Sequence, residues 1–215
     1  MQQESIFIPL DNGKLHLKRI YQNEKGKPVF LLHGSIENGK IFYSNSLKGF
    51  APYLAQKGFD VFVVDMQGRG LSTPTMSRKS KYGQVDVIKT DIPVCLQKIK
   101  ELKGNVPIYG VAHSWGGVLM LAYMARFENN IKNLVLFGAK RRLTIRNVQY
   151  FKELFFGWKF LGTLLTPFYG YLPAKELKMG SDNEPRYHWK QINEWLGNNS
   201  KWIDNMDGFD YGKAF

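Results

Sequence analysis

The chain has 215 residues, enough for one domain or for one domain with an insertion. It is 44% hydrophobic and 14% aromatic, a composition that supplies a sizeable core and excludes an intrinsically disordered chain. The formal net charge of +12 indicates either a lysine-rich surface or attraction to an anionic partner. Since the densest basic cluster, Lys140-Arg141-Arg142 with Arg146, accompanies no nucleic-acid-binding motif, we expect no nucleic-acid partner.

Cysteine usage and the N-terminus point to a reducing compartment. Cys95 is the only cysteine and cannot form an internal disulfide, so we expect a small core residue. The N-terminus lacks the basic start and apolar core of a signal peptide, which predicts a cytoplasmic protein. We expect no metal, since no cluster of Cys, His and acids suggests one, and no cofactor, since Gly68-x-Gly70 lacks the third glycine and the helix of a dinucleotide site.

The first third of the chain predicts a hairpin followed by a β-α-β unit. Asp11-Asn12-Gly13 lies between two apolar runs, so residues 5–21 predict two strands around a turn. The uninterrupted apolar run at 28–33 is typical of a parallel strand covered on both faces. A helix at 46–57 and a buried strand at 60–65 follow.

The next segment continues the alternation of predicted strands and helices. Residues 85–103 have apolar side chains at helical spacing, with Pro93 predicting a kink or a helix start near Asp91. Three more elements follow: a strand at 106–113, a helix at 115–127 and a strand at 131–138. The fold class is therefore α/β, with a mostly parallel sheet flanked by helices.

The most informative motif is Val111-Ala112-His113-Ser114-Trp115-Gly116-Gly117, between a predicted strand and a predicted helix. A serine on such a tight turn, with small neighbours, is typical of a catalytic nucleophile whose Oγ points away from the sheet. Two earlier strands also end in motifs. One ends in His33-Gly34-Ser35, and the other in Asp65-x-x-Gly68-x-Gly70-x-Ser72.

These three motifs, in this order, resemble the α/β-hydrolase family over roughly residues 5–139. The resemblance implies Ser114 as the nucleophile of a serine esterase or lipase that acts on a small-molecule ester or lipid. It assigns the oxyanion hole to the backbone amides of Ser35 and Trp115. It makes His33, Gly34 and Gly116 supporting residues of the site. It divides the chain into a hydrolase core at 1–139 and a helical cap at 140–215.

The same resemblance predicts that part of the catalytic triad is missing. The family places an acid and then a histidine after the cap, and no apolar strand ending in an acid follows residue 140. We therefore expect that the last two strands of the family sheet are absent. One alternative triad uses His188 as base, with Asp182, Asp204, Asp207 or Asp210 as its orienter; the other interpretation gives His188 a packing or surface role.

The missing residues leave three functions open. The first is the esterase or lipase, the second is a catalytically incomplete remnant or binding module, and the third is an acyltransferase or thioesterase that uses the same serine.

Two apolar surfaces suggest further partners. The aromatic stretch 150–173 is interrupted by charged residues, glycine and proline, so it predicts a lid rather than a membrane span, and peripheral membrane contact stays open. The expected lid face is as follows: Tyr150, Phe151, Leu154, Phe155, Trp158, Leu161, Leu164 and Leu165. Without the last two strands, Leu134-Val135-Leu136-Phe137 becomes an apolar sheet edge, which predicts self-association.

Overall fold

The computed structural model of the protein describes residues 1–142, 147–148, 150–197 and 201–214. Arg146 of the predicted basic cluster lies outside these residues. Within them, a six-stranded sheet has the order β1-β2-β4-β3-β5-β6. Its strands are β1 (Gln2–Leu10), β2 (Gly13–Tyr21), β3 (Pro28–Leu32), β4 (Asp60–Asp65), β5 (Ile108–His113) and β6 (Ile131–Phe137). β2 is antiparallel to both of its neighbours, and all other pairs are parallel. The predicted α/β fold class is therefore confirmed.

The helices occupy both faces of the sheet. They are α1 (Phe50–Gln56), α2 (Gln84–Asp86), a π-helical turn (Val87–Asp91), α3 (Ile92–Lys103) and α4 (Trp115–Arg126). On one face, Phe30, Leu32, Phe62 and Val64 pack in a cluster with residues of α3 and α4. On the other face, the intervening residues of the same strands pack against α1. This alternation explains why β3 and β4 are apolar at every position.

Two predicted helices differ in their boundaries. The helix predicted at 46–57 begins only at Phe50, because Leu47 and Gly49 adopt positive φ values of 54° and 125°, which no α-helix contains. The helix predicted at 85–103 includes a π-helical turn that ends at Asp91. Pro93 then lies at the second position of α3, directly after the π-helical turn, where the helix changes its hydrogen-bond pattern.

β6 forms the edge of the sheet in the part of the chain that the structure describes. It pairs only with β5, and its second half is exposed to solvent, with Val135 at 50% and Phe137 at 44%. Phe137 contacts Phe50 of α1 edge-to-face, with ring centroids 5.6 Å apart. The described residues of the C-terminal part therefore do not cover this edge.

We call the described residues from 147 to 214 the C-terminal segment. It contains a π-helix (Tyr150–Leu161), α5 (Gly162–Tyr169), the short strands β7 (Tyr171–Leu172) and β8 (Glu184–Pro185), and α6 (Arg186–Gly197). Trp158, Ile192, Trp195 and Tyr211 belong to the same buried cluster as Phe30 of the sheet. Across the described ranges, no helix has the length and apolarity needed to cross a bilayer.

Candidate active site

Ser114 lies on the sharp turn between β5 and α4, as its motif predicts. Its backbone has φ 51° and ψ −126°, a positive-φ conformation that is rare for a residue with a side chain. Its amide donates to the carbonyl oxygen of Phe137 at 2.8 Å, which fixes the turn to the end of β6. A strained backbone conformation costs free energy and persists only where surrounding contacts hold it in place. Such conformations are typical of functional turns.

Two glycines let the chain approach this turn closely. A Cβ on Gly34 would lie 2.8 Å from the Cβ of Ser114, and a Cβ on Gly116 would lie 2.3 Å from the carbonyl oxygen of His33. Real Cβ atoms do not approach other heavy atoms this closely. The loop after β3 and the turn after β5 can therefore meet only because these two positions carry no side chain.

Ser35 and Trp115, the predicted oxyanion residues, line one open cavity together with Ser114. The cavity has a volume of about 880 Å³. Across the described residues, neither backbone amide donates to a protein acceptor. Trp115 is also the first residue of α4, whose twelve residues place a partial positive charge at this end. Unpaired amides beside a serine can stabilise a developing negative charge on a bound carbonyl oxygen.

His33 connects the loops around the site and does not face Ser114. It is fully buried, its Nε2 accepts from the amide of Met66 at 3.1 Å, and its Nδ1 donates to the carbonyl oxygen of Gly34 at 2.9 Å. Burial, and then the charge of Arg69, lowers the pKa of His33 to about 4. The ring is therefore neutral at neutral pH, and it holds the loop that presents Ser35.

A family model described as the alpha/beta hydrolase fold matches residues 27–165, which is more than half of the chain. The chain belongs to the alpha/beta hydrolase family.

The relatives are distant, and the chain spans only about two fifths of the length of the curated relatives it matches. A proline iminopeptidase from Elizabethkingia meningoseptica is 29% identical over 132 residues, which cover 61% of this chain and 41% of that protein. The thioesterase domain from the curacin biosynthetic pathway has a TM-score of 0.55 at 20% identity, covering 72% of this chain and 51% of that one. The proline iminopeptidase-related protein from Thermus thermophilus has a TM-score of 0.50 at 21% identity, covering 65% and 45%. These two structures support the fold alone.

The three motifs of this chain lie at the carboxyl ends of its parallel strands. Asp65 ends β4 and accepts hydrogen bonds from the amides of Gly39 and Leu71 and from His16. Burial alone would raise the pKa of Asp65, but these hydrogen bonds, led by that of His16, hold it below its ordinary value. Asp65 therefore caps backbone turns.

His188 does not face Ser114, and the orienters considered for it are wrong. Its Nδ1 lies 2.6 Å from Oε1 of Glu184 and 2.5 Å from the guanidinium of Arg69, and all three side chains are buried. None of these three residues lines the cavity of Ser114. The packing interpretation of His188 therefore fits the geometry. Sequence reasoning missed Glu184, although Glu184 and His188 have the i, i+4 spacing of neighbours on one helix face.

The four acids proposed as partners of His188 bind elsewhere. Asp182 accepts from the amide of Gly70 at 2.7 Å, and Asp204 accepts from Arg126 and from the hydroxyl of Tyr211. Asp207 contacts Lys89 and Arg126, and Asp210 accepts from the amide of Gly212. Each of them stabilises a local loop or an ion pair.

Glu37 is a second residue that sequence reasoning missed. It lines the cavity, and its Oε2 accepts from the amide of Gly34 at 2.8 Å and lies 2.9 Å from Nδ1 of His113. One carboxylate thus connects the loop that carries Ser35 with the residue before Ser114. The available signal was an acid three residues after Gly34 in a loop at a strand's carboxyl end.

The predicted lid face is divided between two sides of its helix. Leu154 and Trp158 point inward and line the cavity, and Leu161 and Leu165 are partly buried. Tyr150 also lines the cavity, whereas Phe151, Phe155 and Leu164 are exposed. The cavity wall also carries several cationic side chains, namely Lys140, Arg142, Lys152 and Lys178. It is therefore apolar with a basic rim.

Proposed function

We propose that this hydrolase acts on apolar carboxylic esters, as an esterase or lipase, through attack of Ser114 Oγ on the ester carbonyl. The observation that carries the proposal is the positive-φ Ser114 in a cavity that Ser35 and Trp115, whose amides have no protein acceptor among the described residues, also line. These amides would bind the oxyanion that forms when the carbonyl is attacked. Elimination of the alcohol would leave an acyl group on Ser114, and water would then release the acid.

The walls of the cavity favour an apolar acyl group over a cationic peptide. Leu154, Trp158 and Ile192 supply apolar surface. The one acid among the lining residues is Glu37, which already accepts from Gly34 and contacts His113. A substrate with a free N-terminal imino group would be largely cationic at neutral pH. A basic rim repels such a group, so the likeness to proline iminopeptidases supports the scaffold more than the substrate.

We propose further that the general base and its acid do not come from this chain. All four histidines lie in the described residues, and none has a hydrogen bond to Ser114. His16, His33 and His188 are buried in other contacts, and His113 is held by Glu37. Without a base, an oxyanion hole still retains acceleration on the order of 10³ over water.

The test is covalent labelling by a fluorophosphonate, together with hydrolysis of a p-nitrophenyl acyl ester. We expect slow labelling and slow hydrolysis that Ser114→Ala abolishes, while Ser46→Ala, at an exposed loop position, leaves both unchanged. Adding the family's later strands with an acid and a histidine should raise hydrolysis by about three orders of magnitude. Fast hydrolysis by the chain alone, lost in a folded His188→Asn variant, would refute the proposal and make His188 the base.

The same experiment separates the other two functions. Product that appears on an added alcohol or thiol acceptor, at the expense of free acid, would indicate an acyltransferase. Faster turnover of a thioester than of the matched oxygen ester would indicate a thioesterase. Binding of a non-hydrolysable ester analogue without any labelling of Ser114 would indicate a binding module.

A further inference from the structure

The outer face of the C-terminal helices carries a continuous row of exposed apolar side chains. We call this row the aromatic stripe, and each member exposes between 52% and 70% of its surface. Its members are Phe151, Phe155, Phe156, Phe160, Leu164 and Phe168. Phe151, Phe155 and Phe160 are four and five residues apart along the π-helix, where Phe156 is adjacent to Phe155. Leu164 and Phe168 continue at four-residue steps through α5, so the row lies along one side of these helices. Phe156 and Phe160 stack with ring centroids 5.4 Å apart.

The opposite face of these helices fixes their rotation. Trp158 is buried, and its Nε1 donates to Asn193 of α6 at 3.2 Å. A Cβ on Gly162 would lie 2.5 Å from Nε1 of Trp189, so the helix rests directly against that indole. The aromatic stripe therefore cannot turn into the core without breaking these contacts. An exposed apolar surface of this extent is typical of an interaction site.

The charge around the stripe identifies the kind of partner. Residues 140–190 contain ten lysines and arginines but only four acids, and the whole chain carries +12. Lys140, Arg142 and Lys152 are exposed near or on the same helix. This local excess of cations disfavours pairing of two copies stripe to stripe, whereas an anionic lipid surface attracts the cations and brings the phenylalanines close to the apolar acyl chains.

We propose that the aromatic stripe docks this protein in the plane of a membrane surface rich in anionic lipid headgroups. The phenylalanines would enter the boundary between headgroups and acyl chains, while the flanking lysines would pair with phosphates. Lys152 and Leu154 of the same helix line the cavity of Ser114, so the docking helix is also a wall of that cavity. The proposal goes beyond the proposed function and does not depend on Ser114.

Vesicle flotation tests this inference with the full chain. The probes are phosphatidylcholine vesicles with and without roughly one third phosphatidylglycerol. We expect binding to the anionic vesicles to be on the order of tenfold or more tighter, and to weaken as salt rises. Phe156→Glu with Phe160→Glu should reduce binding on the order of tenfold or more. Tyr53→Glu, on α1 and 52% exposed, is the matched control and should bind like the parent.

A charge series separates lipid attraction from simple hydrophobic adhesion. Lys152→Glu with Lys159→Glu should weaken binding on the order of fivefold for each cation lost. The same change at Lys57 and Lys100, which are exposed on the hydrolase core, should have a smaller effect. Ser114→Ala should leave vesicle binding unchanged, so failure of catalysis and failure of docking are distinguishable.

Two results would overturn the proposal. One is equal binding of the parent and of Phe156→Glu/Phe160→Glu to anionic vesicles while both are folded by circular dichroism. The other is a dimer in sedimentation velocity that this double substitution dissociates, with no vesicle binding by the parent. The second result would assign the aromatic stripe to a second copy of the chain.

Discussion

Replacing Arg69 by methionine should destabilise the fold more than any surface substitution, because it leaves a buried carboxylate without its cation. Arg69 follows β4, whereas Glu184 and His188 belong to the C-terminal segment, so this cluster joins the two parts of the chain. Glu184 also accepts from the amide of Ile36 at 2.7 Å, next to Ser35. The cluster thus supports the loop of the predicted oxyanion hole.

The pKa of Glu184 sets the size of the effect. Burial alone would raise it, but the charge of Arg69 and then His188 lower it from 4.5 to about 2. At about 1.4 kcal/mol per unit, this corresponds to roughly 3 kcal/mol of stability. Removing one partner of a buried ion pair costs about 3–5 kcal/mol by comparison with other proteins. We therefore expect Arg69→Met to lower the free energy of unfolding by about 3 kcal/mol at pH 7.

The pH dependence gives the effect a signature. In the parent, the folded-state pKa of Glu184 is depressed, so its stabilisation is present above pH 4.5 and is lost as pH falls towards 2. In Arg69→Met, burial without the cation should raise that pKa above its ordinary value. The destabilisation should then be largest at neutral pH and shrink as the medium is acidified and Glu184 takes up a proton.

Urea unfolding followed by circular dichroism measures these differences. Glu184→Gln should recover part of the loss when it is combined with Arg69→Met, with a coupling of about 1–3 kcal/mol. Lys98→Met, which removes a cation from the exposed pair with Glu101, is the control and should change stability by less than about 0.5 kcal/mol. A loss below about 1 kcal/mol for Arg69→Met, or strict additivity with Glu184→Gln, would refute the reasoning.

Three further predictions follow from the geometry. Gly34→Ala should lower the free energy of unfolding in urea by about 1–3 kcal/mol, because its Cβ would lie 2.8 Å from Ser114. Gly212→Ala, whose Cβ would have its nearest neighbour at 3.3 Å, is the control and should lower it by less than about 0.5 kcal/mol. Equal effects would argue against the close approach at Gly34. The exposed β6 edge should cause concentration-dependent association in sedimentation velocity, which Val135→Lys should reduce; a parent that stays monomeric would contradict this. Burial lowers the pKa of His33 from 6.5 to about 4, so the free energy of unfolding should fall as pH drops through that window, whereas burial raises the pKa of Asp91 to about 6, which opposes the fall. Asp91→Asn should therefore steepen the loss of stability between about pH 7 and 5 in urea unfolding. An unchanged slope would contradict these ionisation states.

Local patterns predicted the elements of the sheet because they depend on short-range periodicity. The strand at 60–65 has the observed bounds, Asp60–Asp65, and the other sheet strands differ by a few residues at their ends. The helix at 46–57 was predicted too long, since the apolar spacing of Leu47 and Phe50 carries no information about the positive φ of Leu47.

The surroundings of the serine were harder to predict because they depend on contacts across long stretches of chain. Glu37 contacts His113, which lies 76 residues away in the sequence, and Glu184 contacts Arg69, which lies 115 residues away. No periodicity links such positions. Likewise, the apolar pattern of residues 150–173 predicted a lid but not which aromatic side chains point outward.

By itself, the sequence determined the α/β class, the order of the strands along the chain, and the turn that carries Ser114. Each of these follows from hydrophobic period, turn residues and small flanking residues, which act within a few positions. Only the tertiary structure decided that His188 pairs with Glu184 and Arg69, that Glu37 joins the two loops beside Ser114, and that the aromatic stripe faces outward. The physical reason is that burial and partner choice are set by packing between distant segments, where one buried charge takes the nearest opposite charge that folding brings to it.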